Sequence, residues 1–256
     1  MNYRNILKGL LITYVISIGY VSAQGGVNVQ NGNINLYFKD FSVPGHGYNL
    51  ELERSFNSKS NFYGMFGHKW GSNFNILFTL TPEGTVEITE YGGGFKTTFA
   101  PEKYSQSDVT AFINAIYDKV PAASKSETLK NSLKSDVEFR HKLALEYKVT
   151  KPIGFGTKLF ANDRGPEVLE KIKSKTGVTQ WMRTFADGKK EFFSERGLLI
   201  RKEDPNKNFL NLEYDPQGRL AKVTDLSGRQ ITFTYTAKGL VESVTNPLGK
   251  KCTYCL

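Results

Sequence analysis

The chain has 256 residues and a net charge of +9, with 39% hydrophobic and 23% charged residues. This balance is typical of a globular protein, because it provides apolar surface for a core and is too hydrophobic for wholesale disorder. Three His and two Cys exclude a multi-ligand zinc or iron–sulfur framework. The 18 Phe, 13 Tyr and 24 Gly favour a β-rich chain with frequent turns.

The first 23 residues have the pattern of a signal peptide. Arg4 and Lys8 form a basic start, the run Gly9–Tyr20 is mostly apolar, and Val21–Ala23 places small residues before a cut at Gln24. The apolar run is shorter than the roughly 20 residues that span a bilayer, so a cleaved signal is favoured over a permanent anchor. We predict a secreted, periplasmic or cell-surface protein with no stable membrane span after cleavage.

Residues 24–100 are predicted to form a β domain. Apolar residues alternate along several short stretches, and Asn31-Gly32 predicts a tight hairpin. Leu50, Leu52 and Phe56 form one apolar strand face, which Arg54 interrupts.

Residues 101–176 are predicted to be a mainly helical insert. Apolar residues between Val109 and Val120 recur at helical spacing, with Ser107 as a plausible N-cap and Pro121 as the stop. A second helical stretch covers residues 126–147, with a break near residues 135–136, and Pro166 suits the start of a short third helix. Packing is the favoured role for these helices, and a partner-binding role stays open.

Residues 177–256 are predicted to form a β-hairpin repeat region, and the last 60 of them repeat with a period of 21. Each unit has a turn glycine, a turn Asp or Asn, and a strand that ends in aromatic residues, which together predict a β-hairpin. One hairpin cannot bury its apolar face alone, so neighbouring units must stack. The turn residues are Gly197, Gly218, Gly239, Asp204, Asp225 and Asn246, and the strand aromatics are Tyr214, Phe233, Tyr235 and Tyr254.

These units resemble a known family. The segment 218–235 is similar to the YD repeats of the Rhs family, which includes toxin-complex shell subunits and teneurins, although Lys207 stands where a turn glycine is expected. Segments 44–58 and 64–70 resemble the domain that precedes those repeats. The resemblance implies a β-sheet wound spirally into a hollow shell, which in the family can enclose a toxic C-terminal domain.

The sequence therefore predicts a mainly β fold, in which antiparallel hairpin repeats of the Rhs/YD-type spiral sheet carry an α-helical insert. The expected function is that of an exported, non-enzymatic structural or shell protein, the N-terminal part of a larger toxin-encapsulating or cell-surface assembly. Two alternatives remain: a surface module that binds carbohydrate, and a secreted hydrolase with a site between the sheet and the helical insert.

The expected partner is protein. About two and a half repeat units are present, so the last strand is expected to offer an open edge to downstream repeats or another chain, unless residues 24–193 cap it. Carbohydrate is a second possible partner through aromatic and basic residues such as Phe192, Phe193 and Arg201, although sheet packing is the more common role of such aromatics. Nucleic acid is not expected as a partner.

No catalytic, cofactor or metal site is predicted. His46, His68 and His141 are far apart in sequence and fit no metal-ligand spacing. Cys252 and Cys255 resemble a C-x-x-C motif, but in a strand they face opposite sides with Cα atoms about 10 Å apart. That separation exceeds the limit for a disulfide, so pairing between the two is not expected.

Overall fold

The computed structural model describes residues 22–103, 105–161 and 165–255. The predicted signal peptide lies almost entirely outside the described residues, since the first strand begins at Ser22. Within the described ranges, no helix has the length and apolar character needed to cross a membrane. The fold is mainly antiparallel β with a smaller helical part, which confirms the predicted fold class.

Nine short strands precede the helices and form three small sheets. β1, β2, β3 and β6 make a four-stranded sheet, β4 and β5 a two-stranded one, and β7, β8 and β9 a three-stranded one. The predicted hairpin at Asn31-Gly32 joins β1 to β2, and Gly32 has φ 67°. The strands are β1 Ser22–Asn28, β2 Asn33–Val43, β3 Leu50–Asn57, β4 Tyr63–Gly64, β5 Gly67–His68, β6 Trp70–Ser72, β7 Leu77–Leu80, β8 Val86–Thr89 and β9 Lys96–Phe99.

Three α-helices follow: α1 Gln106–Lys119, α2 Glu127–Ser135 and α3 Val137–Glu146. The expected break near residues 135–136 is confirmed, because α2 ends there and Asp136 caps α3 by accepting a hydrogen bond from the Phe139 amide. The N-cap of α1 is Ser105 rather than the predicted Ser107. Ser105 and Asp108 form a capping box, which satisfies two otherwise unpaired amides at the start of the helix.

The helices have a small core of their own, built from Ile113, Ile116, Leu133 and Ala144. They are tied to the turn between β7 and β8 by a buried ion pair, in which the Arg140 guanidinium donates to the Glu83 carboxylate. The helical part is therefore a compact unit beside the β domain, and it is shorter than the predicted insert.

The predicted third helix is wrong. Glu167–Lys173 is a β-strand, in which Glu167 and Leu169 are buried and Val168 and Glu170 are half-buried. The alternation of inward and outward residues in this strand was not recognised in the sequence, because a glutamate occupies an inward position where an apolar residue is expected.

Ten strands after the helices form a single antiparallel sheet in which each strand pairs with the next. This repeat sheet contains the predicted hairpin units and two strands that precede them. Its members are β10 Lys158–Ala161, β11 Glu167–Lys173, β12 Thr179–Thr184, β13 Lys190–Ser194, β14 Leu199–Glu203, β15 Phe209–Tyr214, β16 Leu220–Asp225, β17 Gln230–Tyr235, β18 Val241–Thr245 and β19 Lys251–Thr253.

The N-terminal strands and the repeat sheet share one hydrophobic core. Phe78 of β7 packs against Trp181 and Phe193 with ring centroids 5.4 and 5.2 Å apart. Phe74 meets Phe233 edge to face at 6.2 Å. The N-terminal strands thus cover the inner face of the repeat sheet from its early strands to its late ones.

Candidate functional site

Eight successive turns, from the one after β11 to the one before β19, have the same backbone geometry. In the turn that begins at Asp215, the Gly218 amide donates to the Asp215 carbonyl at 2.8 Å, and the Asp215 amide donates to the Arg219 carbonyl at 2.9 Å. The fourth residue of every one of these turns has a φ between 69° and 83°. Glycine is favoured there because it adopts positive φ without steric cost.

The two predicted series of turn residues occupy different positions of this same turn. Gly197, Gly218 and Gly239 are fourth residues with φ 81°, 79° and 79°. The Asx series, Asp204, Asp225 and Asn246, supplies first residues of the intervening turns. The 21-residue period therefore contains two turns of one kind, and Lys207, which stands where a turn glycine is expected, adopts the same positive φ of 69°.

The Asx side chains hold their turns through local hydrogen bonds. The Asp225 Oδ1 atom accepts from the Ser227 and Arg229 amides at 3.0 and 2.9 Å, and its Oδ2 atom accepts from the Arg229 side chain. Asn246 accepts from two amides in the same way, and Asp204 accepts from the Asn208 amide at 2.9 Å. Each bond spans at most four residues, so each turn is stabilised without help from distant parts of the chain.

The strand aromatics connect neighbouring strands. The Tyr214 hydroxyl donates to the Leu199 carbonyl at 2.8 Å, and the Tyr235 hydroxyl donates to the Leu220 carbonyl at 2.7 Å. Burial raises the pKa of both tyrosines above the ordinary value. Tyr254 lies just after β19, and its hydroxyl contacts the Asp40 carboxylate at 2.6 Å, so this third tyrosine reaches the N-terminal domain.

Arg54, which interrupts an apolar strand face, is held in an aromatic cage. Its guanidinium pairs with the Asp40 carboxylate through two hydrogen bonds of 2.6 and 2.8 Å. A β-bulge shifts the register of β2 between Lys39 and Phe41, where Asp40 lies. Four rings lie within 4.8–5.7 Å of the guanidinium carbon, those of Phe38, Phe66, Trp70 and Tyr254.

A second buried arginine joins the two β regions. Arg183 of β12 is only 2% exposed. It donates to Glu167 at 2.7 Å, to Glu90 at 2.6 Å and to Glu191 at 3.2 Å. Sequence reasoning missed this cluster, because alternation alone gives no sign that one inward position of each of three neighbouring strands is charged.

The two outer edges of the repeat sheet differ. At the β10 edge, Ala100 and Phe160 exchange two backbone hydrogen bonds of 3.1 and 2.7 Å, which connect this edge to the segment after β9. At the β19 edge, Cys252 pairs with Val244, so the amides and carbonyls of Lys251 and Thr253 point away from β18. Among the described residues, no strand pairs with that edge.

The residues considered for chemistry do not converge. His46 is exposed in the segment between β2 and β3, His68 is exposed in β5, and His141 lies in α3. The described part of the chain contains no group of three or more metal-ligating side chains. Cys252 and Cys255 are both free thiols. Phe193 is fully buried, so it belongs to the sheet core rather than to a sugar-binding surface.

Comparison with known families matches the two β regions. Residues 24–94 match a family described as Domain of unknown function (DUF6531), and residues 193–230 and 214–251 match the RHS Repeat. No curated protein matches the chain. The repeat matches cover six of the eight turns with uniform geometry, and the N-terminal match covers strands that pack on the repeat sheet. The chain is therefore a member of the Rhs family of YD-repeat proteins.

Proposed function

We propose that this chain is an exported, non-enzymatic structural protein, the N-terminal part of a larger Rhs-type assembly that encloses a toxin or stands at the cell surface. The observation that carries the proposal is the difference between the two edges of the repeat sheet. One edge is joined to the N-terminal domain, and the other presents backbone groups to a further strand.

The open edge is suited to extension by another hairpin. The outward amides and carbonyls of Lys251 and Thr253 have the spacing that an antiparallel strand requires. The last turn has the same geometry as the seven before it, with φ 77° at Gly249. A further unit of the same kind would therefore continue the sheet without a change in turn type.

In this proposal the N-terminal domain closes one end of the repeat sheet. Its side chains fill the inner face of the sheet, and they also reach the last hairpin. Phe66 packs edge to face on Tyr254 with ring centroids 5.0 Å apart, and the Val241 amide donates to the Met65 carbonyl at 2.8 Å. A shell that starts here would have its first turn of sheet already packed against a core.

The hydrolase alternative has weaker support. Glu90, Glu167 and Glu191 converge, as a pair of catalytic carboxylates would, but each accepts a hydrogen bond from Arg183. Arg183 is itself almost fully buried and pairs with all three carboxylates, so the cluster is a closed network of ion pairs. We therefore assign this cluster to the joining of the two β regions.

The open edge can be tested by blocking it. Thr253→Pro removes an amide that points away from β18, so it should prevent pairing of β19 with another chain while leaving the existing ladder intact. We expect the chain from Gln24 onward to self-associate with rising concentration in static light scattering. Thr253→Pro should suppress this self-association.

Thr253→Ala is the matched control, because it keeps the amide and should keep the self-association. A chain that stays monomeric at every concentration, or that associates equally well with Thr253→Pro, would refute an available edge. Export is tested separately by N-terminal sequencing of protein recovered outside the cytoplasm. Sequencing should begin at Gln24, and an intact Met1 would contradict cleavage.

A further inference from the structure

A polar cleft lies beside the four-stranded sheet of the N-terminal domain, away from the open edge of β19. Its cavity has a volume of about 320 Å³ and lies between β2, β3 and the loop that follows β8. That size falls within the range of small-molecule sites, roughly 300–1,000 Å³. The lining residues used below are Asn35, Tyr37, Ser55, Asn57, Lys69 and Tyr91.

Two residues that line the cleft have unusual backbone geometry. Lys69 has φ 69° and Tyr91 has φ 51°, and they are two of the four non-glycine residues with positive φ in the described part of the chain. Glycine or asparagine would adopt this conformation with less strain. Strained non-glycine residues concentrate at functional sites, where the side chain is needed despite its conformational cost.

Structural contacts explain Tyr91 but not Lys69. The Tyr91 hydroxyl donates to the Glu53 carboxylate at 3.0 Å, which gives this side chain a role in holding the loop. The Lys69 ammonium makes no ion pair with any described residue, although its backbone bonds Phe62 and Asn57. Lys69 thus takes a strained backbone conformation in the lining of the cleft, and no ion pair with a described residue accounts for it.

The wall of the cleft is fixed before any ligand arrives. Asn57 donates from its side-chain amide to the Gly93 carbonyl at 2.8 Å. A Cβ atom at Gly92 would lie 2.1 Å from the Phe62 ring, and one at Gly71 would lie 1.6 Å from the Tyr91 carbonyl oxygen. The glycines therefore allow the loop to pack tightly, and a rigid wall reduces the entropy lost on binding.

The surface chemistry of the cleft combines aromatic rings with uncharged polar groups. Tyr37 is 51% exposed, and Phe95 adds a second partly exposed ring. Asn35 and Ser55 contribute an amide and a hydroxyl, which both donate and accept hydrogen bonds. The formal charges of the lining balance, because it contains one lysine, Lys69, and one carboxylate, that of Glu90.

We propose that this cleft binds a neutral oligosaccharide. A pyranose ring has an apolar face that stacks on an aromatic side chain and a rim of hydroxyl groups that pairs with amides, hydroxyls and an ammonium. A balanced lining favours an uncharged ligand over an acidic one. This binding function is independent of sheet extension, since the cleft and the β19 edge share no residues.

The test uses the chain from Gln24 onward and a panel of neutral gluco-, galacto-, manno- and N-acetylhexosamine oligosaccharides, with oligouronates as charged comparators. We expect saturable binding of at least one neutral member in calorimetry. Tyr37→Ala should weaken that binding about tenfold by removing the stacking platform. Tyr63→Ala, which removes another exposed tyrosine outside the cleft, should leave it unchanged.

Lys69→Gly separates a binding role from a structural one. Glycine relieves the positive φ, so this variant should melt at the same temperature as the parent or higher, yet bind the oligosaccharide at least about fivefold more weakly. Lys207→Gly relieves the same kind of strain outside the cleft and should leave binding unchanged. Absence of neutral binding, binding of oligouronates alone, or full binding by both Tyr37→Ala and Lys69→Gly would overturn the proposal.

Discussion

The contacts that stabilise the repeat turns and those that join the repeat sheet to the N-terminal strands differ in how far apart the residues are in sequence. Each repeat turn is fixed by hydrogen bonds that span four residues or fewer, such as those of Asp225. The N-terminal strands are joined to the repeat sheet by contacts such as those of Tyr254 with Asp40, which are 214 residues apart, and of Arg183 with Glu90, which are 93 apart. The repeats therefore carry redundant local stability, whereas the joining of the two regions depends on a few individual side chains.

The largest effect is expected where a buried joining residue is removed. Arg183→Met removes the cation that pairs with the buried Glu167 and the partly buried Glu90 and leaves Glu191 with Lys202 alone. Breaking a buried pair in this way typically costs about 3–5 kcal/mol. Arg201→Met is the control, because Arg201 is more exposed and pairs with Glu203 at 3.0 Å, so its loss should cost about 1 kcal/mol or less. Urea unfolding at neutral pH would measure the free energy of unfolding of both variants. Equal losses of stability would refute the predicted difference between the buried and the exposed arginine.

A smaller effect should separate two glycines in identical turns. Gly197→Ala and Gly218→Ala both place a side chain at positive φ, which costs about 1–2 kcal/mol. A Cβ atom at Gly197 would also lie 2.9 Å from the Phe78 Cβ atom of the N-terminal domain, whereas Gly218 faces open space. Crowding should add about 1–3 kcal/mol at Gly197 only.

Thermal unfolding of the two alanine variants would measure this difference directly. Gly218→Ala reports the turn alone, so it serves as the control for the contact with Phe78. Equal melting temperatures would mean that the N-terminal domain shifts to relieve the contact with Phe78, so that the loss of stability comes from the turn geometry alone.

The smallest effect is a gain in stability at the irregular turn. Lys207→Gly removes positive-φ strain and should raise the free energy of unfolding by about 1 kcal/mol. The lost ion pair with Glu203 offsets little of this gain, since the lysine side chain is 74% exposed. Lys207→Ala loses the same ion pair but keeps the strain, so it should not be stabilised.

A titration gives an independent check on that variant. The hydrogen bond from Lys207 is the main cause that lowers the pKa of Glu203 below the ordinary value. In both Lys207→Gly and Lys207→Ala the pKa of Glu203 should therefore rise, although only the glycine variant gains stability. A lowered pKa that persisted in both variants would show that Arg201, rather than Lys207, sets it.

The sequence was informative where the stabilising interactions are local. The spacing of Gly218 and Gly239 predicted turns, and the break near residues 135–136 was also predicted, because each signal lies within a few residues of its effect. It was misleading at Glu167, where an inward charge made a strand resemble the start of a helix. That charge is explained by Arg183 on the paired strand β12, which lies opposite Leu169 and reaches the Glu167 carboxylate diagonally.

The cleft lay beyond sequence reasoning for a similar reason. Asn35 and Tyr91 become neighbours only after several hairpins have formed, and neither belongs to a recognisable motif. Positive φ can be anticipated at glycine but not at Lys69, since lysine seldom adopts it. The informative feature was the positive φ of a lysine, and it became visible only once the backbone conformation was known.

The bridge between Ala100 and Phe160 gives the repeat sheet a direction of growth. In the proposed assembly, a further strand would join this sheet beside β19, in the same order in which the chain is synthesised. Each newly released hairpin then meets a finished template and needs only contacts with its immediate predecessor, so loop-closure entropy stays small however long the sheet becomes. Assembly is in this sense vectorial, with its starting point built into the N-terminal domain.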